Sequence, residues 1–250
     1  MPAEPFLPFV AFAILLLALA WLSRQISILI QEAVYLITAS LDLAMVILFL
    51  VYLPGIVLHE GAHWLMARLL GLRTSKFRVW PKKHRGAIGL GSVSVAQGGP
   101  LADSLVGMAP LIAGTAVITW IGTQVFRTPE LASAWQSGQW WEAFQGVFAS
   151  LALEQDGLLW AYLVFAVANA MMPSASDREP LKPLLLYLVA AAVLYFLLDQ
   201  SGRLLLDAAL WLQEPLQLLA SALAFTLALD LAILLLLYLM RGLLMTLRMS

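Results

Sequence analysis

Residues 41–70 read LDLAMVILFLVYLPGIVLHEGAHWLMARLL. The run is apolar over a length that crosses a bilayer, yet near its end stands His59-Glu60-Gly61-Ala62-His63. On a helix, positions i and i+4 lie one turn apart on one face, so the two imidazoles converge. An ionisable group near a bilayer centre costs roughly 2.5–3.5 kcal/mol, so three within five residues require a compensating role. Paired imidazoles at this spacing suit a zinc ion, and the intervening carboxylate is placed to accept a proton from water. The competing reading is a hydrogen-bonded polar cluster that ties helices together. Two of the chain's three histidines fall in the motif, which favours the metal. The third, His84, sits among basic residues and reads as solvated.

The rest of the composition agrees with a chain built for lipid. Of 250 residues, 62% are hydrophobic and 12% charged, more apolar surface than a soluble domain can bury. The expected fold is an all-α polytopic membrane protein. Cysteine is absent, which excludes disulfides, iron–sulfur clusters and thiol catalysis and leaves His and carboxylate as metal ligands. A net charge of -1 with no basic domain argues against a nucleic-acid partner, and no nucleotide-binding or other soluble module fits in the loops. Residues 1–8 have no basic segment, so the apolar run after them reads as a retained span rather than a cleaved signal.

Apolar runs long enough for about 30 Å of hydrocarbon occur near 6–22, 41–72, 101–126, 157–173, 181–198 and 216–240, giving six expected transmembrane helices. Residues 23–40, with Arg24 and Glu32, read as an interfacial helix or a continuation of either neighbour. Trp120, Trp140, Trp141, Trp160 and Trp211 fall near span ends, where interfacial aromatics belong. Residues 73–85 carry Arg73, Lys76, Arg78, Lys82, Lys83 and Arg85 and no acid, whereas 127–157 set Arg127 against Glu130, Glu142, Glu154 and Asp156. The positive-inside rule puts the first loop in the cytoplasm and the second outside. With six alternating crossings, 177–182 and 241–248 fall inside and Arg24 outside. Alternation at Lys76–Trp80 and at Ile88, Leu90, Val93 and Val95 predicts a short cytoplasmic-side β-hairpin or a plain loop after the metal helix. Three segments follow: an N-terminal transmembrane and interfacial part at 1–40, a core of three spans at 41–180, and a C-terminal pair at 181–250.

A catalytic zinc usually has three protein ligands and one open position. Met66 and Leu69 stand where one soluble pattern places Gly and a third His, and no acid occurs between Trp64 and Ala102. The residues leave Asp103, Asp177 and Glu179 as candidates for the third ligand. Here the chain resembles a known family, the site-2 proteases, intramembrane zinc metalloproteases. His59-Glu60-Gly61-Ala62-His63 looks like the family's zinc helix, and Gly99-Pro100-Leu101-Ala102-Asp103 is similar to the Gly-Pro-Leu-Ala-Asn that opens a core helix there. Asn169-Ala170-Met171-Met172-Pro173-Ser174-Ala175-Ser176-Asp177 looks like its Asn…Pro…Asp segment, whose Asp is the third ligand. The resemblance covers about residues 41–180. It departs at Arg178, where the family commonly has Gly, at Ser174 and Ser176, and at Asp103, which replaces an amide.

The resemblance implies one Zn2+ per chain held by His59, His63 and Asp177, with Glu60 as the proton-transferring residue. Asn169 is the expected donor to a peptide oxyanion or to the substrate backbone, an interhelical hydrogen bond being its structural alternative. Pro173 breaks the helix just before Asp177, which suits irregular backbone at a buried polar site. Asp230, alone in the last apolar run, reads as a helix contact. The expected activity is hydrolysis of peptide bonds in membrane-spanning substrates near the cytoplasmic side, with the lipid bilayer as the second partner. A bacterial cytoplasmic membrane is the expected setting. Two rivals remain: an inactive relative that binds membrane partners, and a membrane zinc protease of the prenyl-protein-processing type, which would use Glu179 in place of Asp177.

Overall fold

The computed structural model describes residues 6–74, 82–84, 87–89, 94–198 and 203–249. Its first helix, α1, runs unbroken over Leu7–Thr38, so 23–40 continues the first span and Arg24 stands exposed on its side. Ala39 stops it in a left-handed conformation (φ 53°), its N–H donating to the Tyr35 carbonyl at 2.8 Å. Ser40 then caps α2, Leu41–Leu69, accepting from the Leu43 N–H at 3.3 Å. A turn this short forces α1 and α2 to lie antiparallel. α2 contains Pro54, which removes one helical donor. At the next residue, Gly55, an added Cβ would lie 2.0 Å from the Ala166 carbonyl oxygen. Only glycine lets α2 cross so close to α6, and that crossing lies one turn before the histidines.

Beyond α2, backbone 82–84 (β1) pairs antiparallel with 87–89 (β2), Lys83 opposite Ile88, and Thr74 forms a single bridge to Val95. The expected alternation at Lys76–Trp80 and the Leu90 and Val93 positions lie outside the described residues. Helix α3, Pro100–Gln124, starts with proline at its first position, where no N–H is needed. Helices α4 (Pro129–Ser137), α5 (Trp140–Leu153) and α6 (Gly157–Ala170) follow, then the single turn α7 (Ala175–Arg178), α8 (Leu181–Leu198) and α9 (Arg203–Met249).

Among the described residues, four helices are long and apolar enough to cross a membrane: α1, α2, α3 and the Leu205–Leu247 part of α9. The count is five if α5 and α6, bent by 113° at their junction, form one broken span. Six were expected. The run 157–173 is only the 14-residue α6, about 21 Å of helix and shorter than the hydrocarbon layer. These long apolar helices are consistent with an integral membrane protein.

The chain's two ends pack together. Leu19 shares a core cluster with Leu223 and Phe225, Ser23 and Asp230 both bond to Asn169, and Glu32 pairs with Arg241 at 3.1 Å. Contact positions rise together in both helices, so α1 and α9 run parallel. This corrects the expected orientation: six alternating crossings put 23–40 and 241–248 on opposite sides, whereas the ion pair brings Glu32 and Arg241 to one level.

Candidate metal centre

His59 and His63 stand one turn apart on α2, their rings edge to face with centroids 4.8 Å apart. Each ring is fixed from behind by a backbone carbonyl. His59 Nδ1 lies 2.8 Å from the Ala170 oxygen, and His63 Nδ1 lies 2.8 Å from the Val106 oxygen. A carbonyl only accepts, so each Nδ1 carries the hydrogen, and in a neutral ring Nε2 then holds a lone pair. The two Nε2 atoms face each other at 3.1 Å. Lone pairs do not approach so closely without a cation or a proton between them.

Asp177 completes the group. Its Oδ2 lies 3.6 Å from His59 Nε2 and its Oδ1 3.3 Å from His63 Nε2. Local sequence explains its aim: α6 ends at Ala170 and Pro173 prevents its continuation. Ser174 then starts α7 with a capping box, its N–H donating to Asp177 Oδ2 at 2.8 Å and its hydroxyl accepting from the Asp177 N–H at 3.3 Å. The turn seats on α3 at Gly107, where an added Cβ would lie 2.5 Å from the Asp177 carbonyl oxygen. Ser104 links the same helix to the Pro180 carbonyl beyond the turn. Burial works against the Asp177 carboxylate, and the Ser174 N–H donates to its charged form.

The donor set passes a dimensional test. A tetrahedral zinc with ligand distances of about 2.0–2.1 Å has ligand–ligand edges of about 3.3 Å. The 3.1 Å between the two Nε2 atoms is close to that edge, and Asp177 approaches the two rings with different oxygens, Oδ1 at 3.3 Å from His63 and Oδ2 at 3.6 Å from His59. Among the described residues, His59, His63 and Asp177 are the group of metal-ligating side chains that could hold an ion. Asp103 and Glu179 line the adjoining cavity but stand outside this group. Asp103 instead accepts from the Gly98 N–H at 2.8 Å, a loop-fixing contact.

Glu60, buried between the two histidines in sequence, lines the same cavity of ≈ 1180 Å³. Asn169 also lines it, yet its amide nitrogen donates to the Phe165 carbonyl at 2.9 Å and to Asp230, 3.2 Å from each oxygen. Both amide hydrogens thus have acceptors, and the arrangement is the interhelical contact rather than a donor aimed at substrate. The carbonyl of Asn169 accepts from Ser23 at 3.0 Å. The last carbonyls of α6, which no helical N–H can satisfy, are taken instead by the α1 hydroxyl and the His59 ring. Sequence reading misses these carbonyl partners, since a backbone acceptor has no residue signature. In comparisons with known proteins, no family model, no curated protein and no solved structure matches the chain.

Proposed function

We propose that this chain is an intramembrane zinc metalloprotease that hydrolyses peptide bonds in membrane-spanning substrates, as its resemblance to the site-2 proteases implies. The observation that carries the reading is the convergence of His59 Nε2 and His63 Nε2, 3.1 Å apart, with the two Asp177 carboxylate oxygens at 3.6 and 3.3 Å from them, on a cavity that Glu60 also lines. When bound there, zinc supplies Lewis acidity that acidifies a water and polarises a carbonyl. Glu60 takes a proton from the attacking water as oxygen bonds to the scissile carbon. It returns that proton to the departing nitrogen as the C–N bond breaks, so one water is consumed per bond cut. The Ala170 and Val106 carbonyls hold both imidazoles in the tautomer that presents Nε2. Asn169 acts by fixing the end of α6, from which the Ala170 carbonyl reaches His59.

A helical substrate hides its carbonyls in its own hydrogen bonds, so it must unwind before it can react. The stretch Val95, Ala96 and Gln97, which lines the cavity, offers backbone for strand addition by the unwound stretch. The basic segment at 73–85 follows the end of α2 at Leu69, about 9 Å of helix beyond His63, and supports a site opening toward the cytoplasm of a bacterial membrane. Purified protein is expected to contain about one zinc per chain and to cut a single-span peptide in vesicles, whereas Glu60→Gln keeps the zinc and does not cut. Cleavage that persists in Glu60→Gln removes Glu60 from the mechanism. Protein that never holds zinc favours a non-catalytic membrane binder.

A further inference from the structure

The cavity at the metal centre extends well past it. Leu48, Tyr52, Ile56, His59, Glu60 and His63 all line it, and their spacing of three or four residues puts them on one face of α2. From His59 to Leu48 is about 16 Å along the helix, enough for about five residues of extended chain. This inner arm is apolar apart from Asn169, Tyr52 and Ser27, the last two with hydroxyls bonded to each other at 3.2 Å across α1 and α2. On the other side of Glu60 the lining turns polar and open, with Gln97, Ser174, Ser176 and Glu179.

Resting on the peptidase reading, we infer that this two-armed groove is the substrate cradle, and that its inner arm is a specificity site for about five apolar residues on one side of the cut bond. The occupant is an unwound stretch of a membrane-spanning peptide whose flank beyond the cut is polar. Three features select it. The arm is continuous with the metal centre; its walls match apolar side chains; and the hydroxyls of Tyr52 and Ser27 give an unwound backbone hydrogen-bonding groups that lipid cannot offer. Leu48, at the far end, meets the side chain farthest from the scissile bond. A large residue there fills the arm, and a larger Leu48 replacement excludes it.

The probe is a synthetic single-span peptide of Leu and Ala with one central Gly-Gly pair, mixed with the protein in phosphatidylcholine vesicles. A photo-crosslinker introduced at Leu48 in the Glu60→Gln protein is expected to label the peptide about four to six residues from the bond that the active protein cuts. In the active protein, Leu48→Trp is expected to lower kcat/KM by at least about 10-fold for a probe with Phe at the labelled position, and much less for one with Ala there. Leu48→Ala is expected to move the preference the other way, toward Trp in the probe. Zinc content, measured on each variant, should equal that of the wild type, since Leu48 is remote from the ligands. Crosslinks to lipid acyl chains alone, or identical Phe and Ala preferences in all three proteins, overturn the proposal. A wild type that cuts no probe defeats the peptidase reading instead, and the crosslink, which needs no turnover, still decides the groove.

Discussion

At the scale of single residues, the candidate metal centre rests on what stands behind each imidazole. His59 and His63 have their Nδ1 hydrogens committed to carbonyls of α6 and α3, so the ring orientation is set before any ion arrives. His59→Ala or Asp177→Asn should therefore lower zinc from about one per chain to background, read by atomic emission on purified protein. Glu179→Gln should leave it unchanged; loss of metal there, with Asp177→Asn still loaded, would favour the prenyl-processing type of site. The histidines and Glu60 were legible in the sequence because they sit within five residues. Asp177 came only through the resemblance, since three acids competed for the role. Asp230 was visible as a lone acid in an apolar run, but its partner was not. Being 1% exposed, it supplies the acceptor for the Asn169 amide. Asp230→Leu leaves that amide buried with an unmet donor, which costs about 1–3 kcal/mol. A thermal melt in detergent should fall accordingly, while Asp230→Asn, which still offers an acceptor, should lose much less.

At the scale of elements, Asp177 reaches the histidines only because α7 can press against α3. Gly107 is where the backbones meet, and a side chain there pushes the Asp177 turn outward without touching any ligand atom. Gly107→Val is expected to weaken zinc affinity by about 10–100-fold, the range found when the support of a ligand is removed. Competition with a calibrated chelator measures it. An affinity equal to the wild type would show that α7 tolerates the shift and that Gly107 has no such role. The glycine was plain in the sequence, but nothing local told which segment it would meet, since its partner lies 70 residues away. The broken α5–α6 pair was illegible for a related reason: hydropathy measures how apolar a run is and carries no information about a 113° bend. Helix α1 was half legible, because Arg24 and Glu32 lowered its apolar signal without ending the helix.

At the scale of the whole molecule, the parallel packing of α1 and α9 decides which ends of the chain share a face of the membrane. Counting apolar runs assumes that each one is a single straight crossing, and charge counting then only selects the sign. A short α6 bent away from α5 breaks that assumption: the Asp177 turn stays beside the histidines, the side expected of it, whereas the end of α9 falls on the other. The ion pair of Glu32 with Arg241, at 3.1 Å, is direct evidence for one shared level, because neither short carboxylate nor guanidinium can span about 30 Å of hydrocarbon. The absence of cysteine makes the test simple. Ser40→Cys reports the turn between α1 and α2, and Thr246→Cys reports the exposed end of α9. Both should react with a membrane-impermeant maleimide from the same side of sealed vesicles. Six alternating crossings require labelling from opposite sides, so that result would break the parallel pairing of the first and last helices. Labelling from one side would instead place the turn before α2 and the carboxyl end of α9 together, on the face of the membrane away from the histidine end of α2.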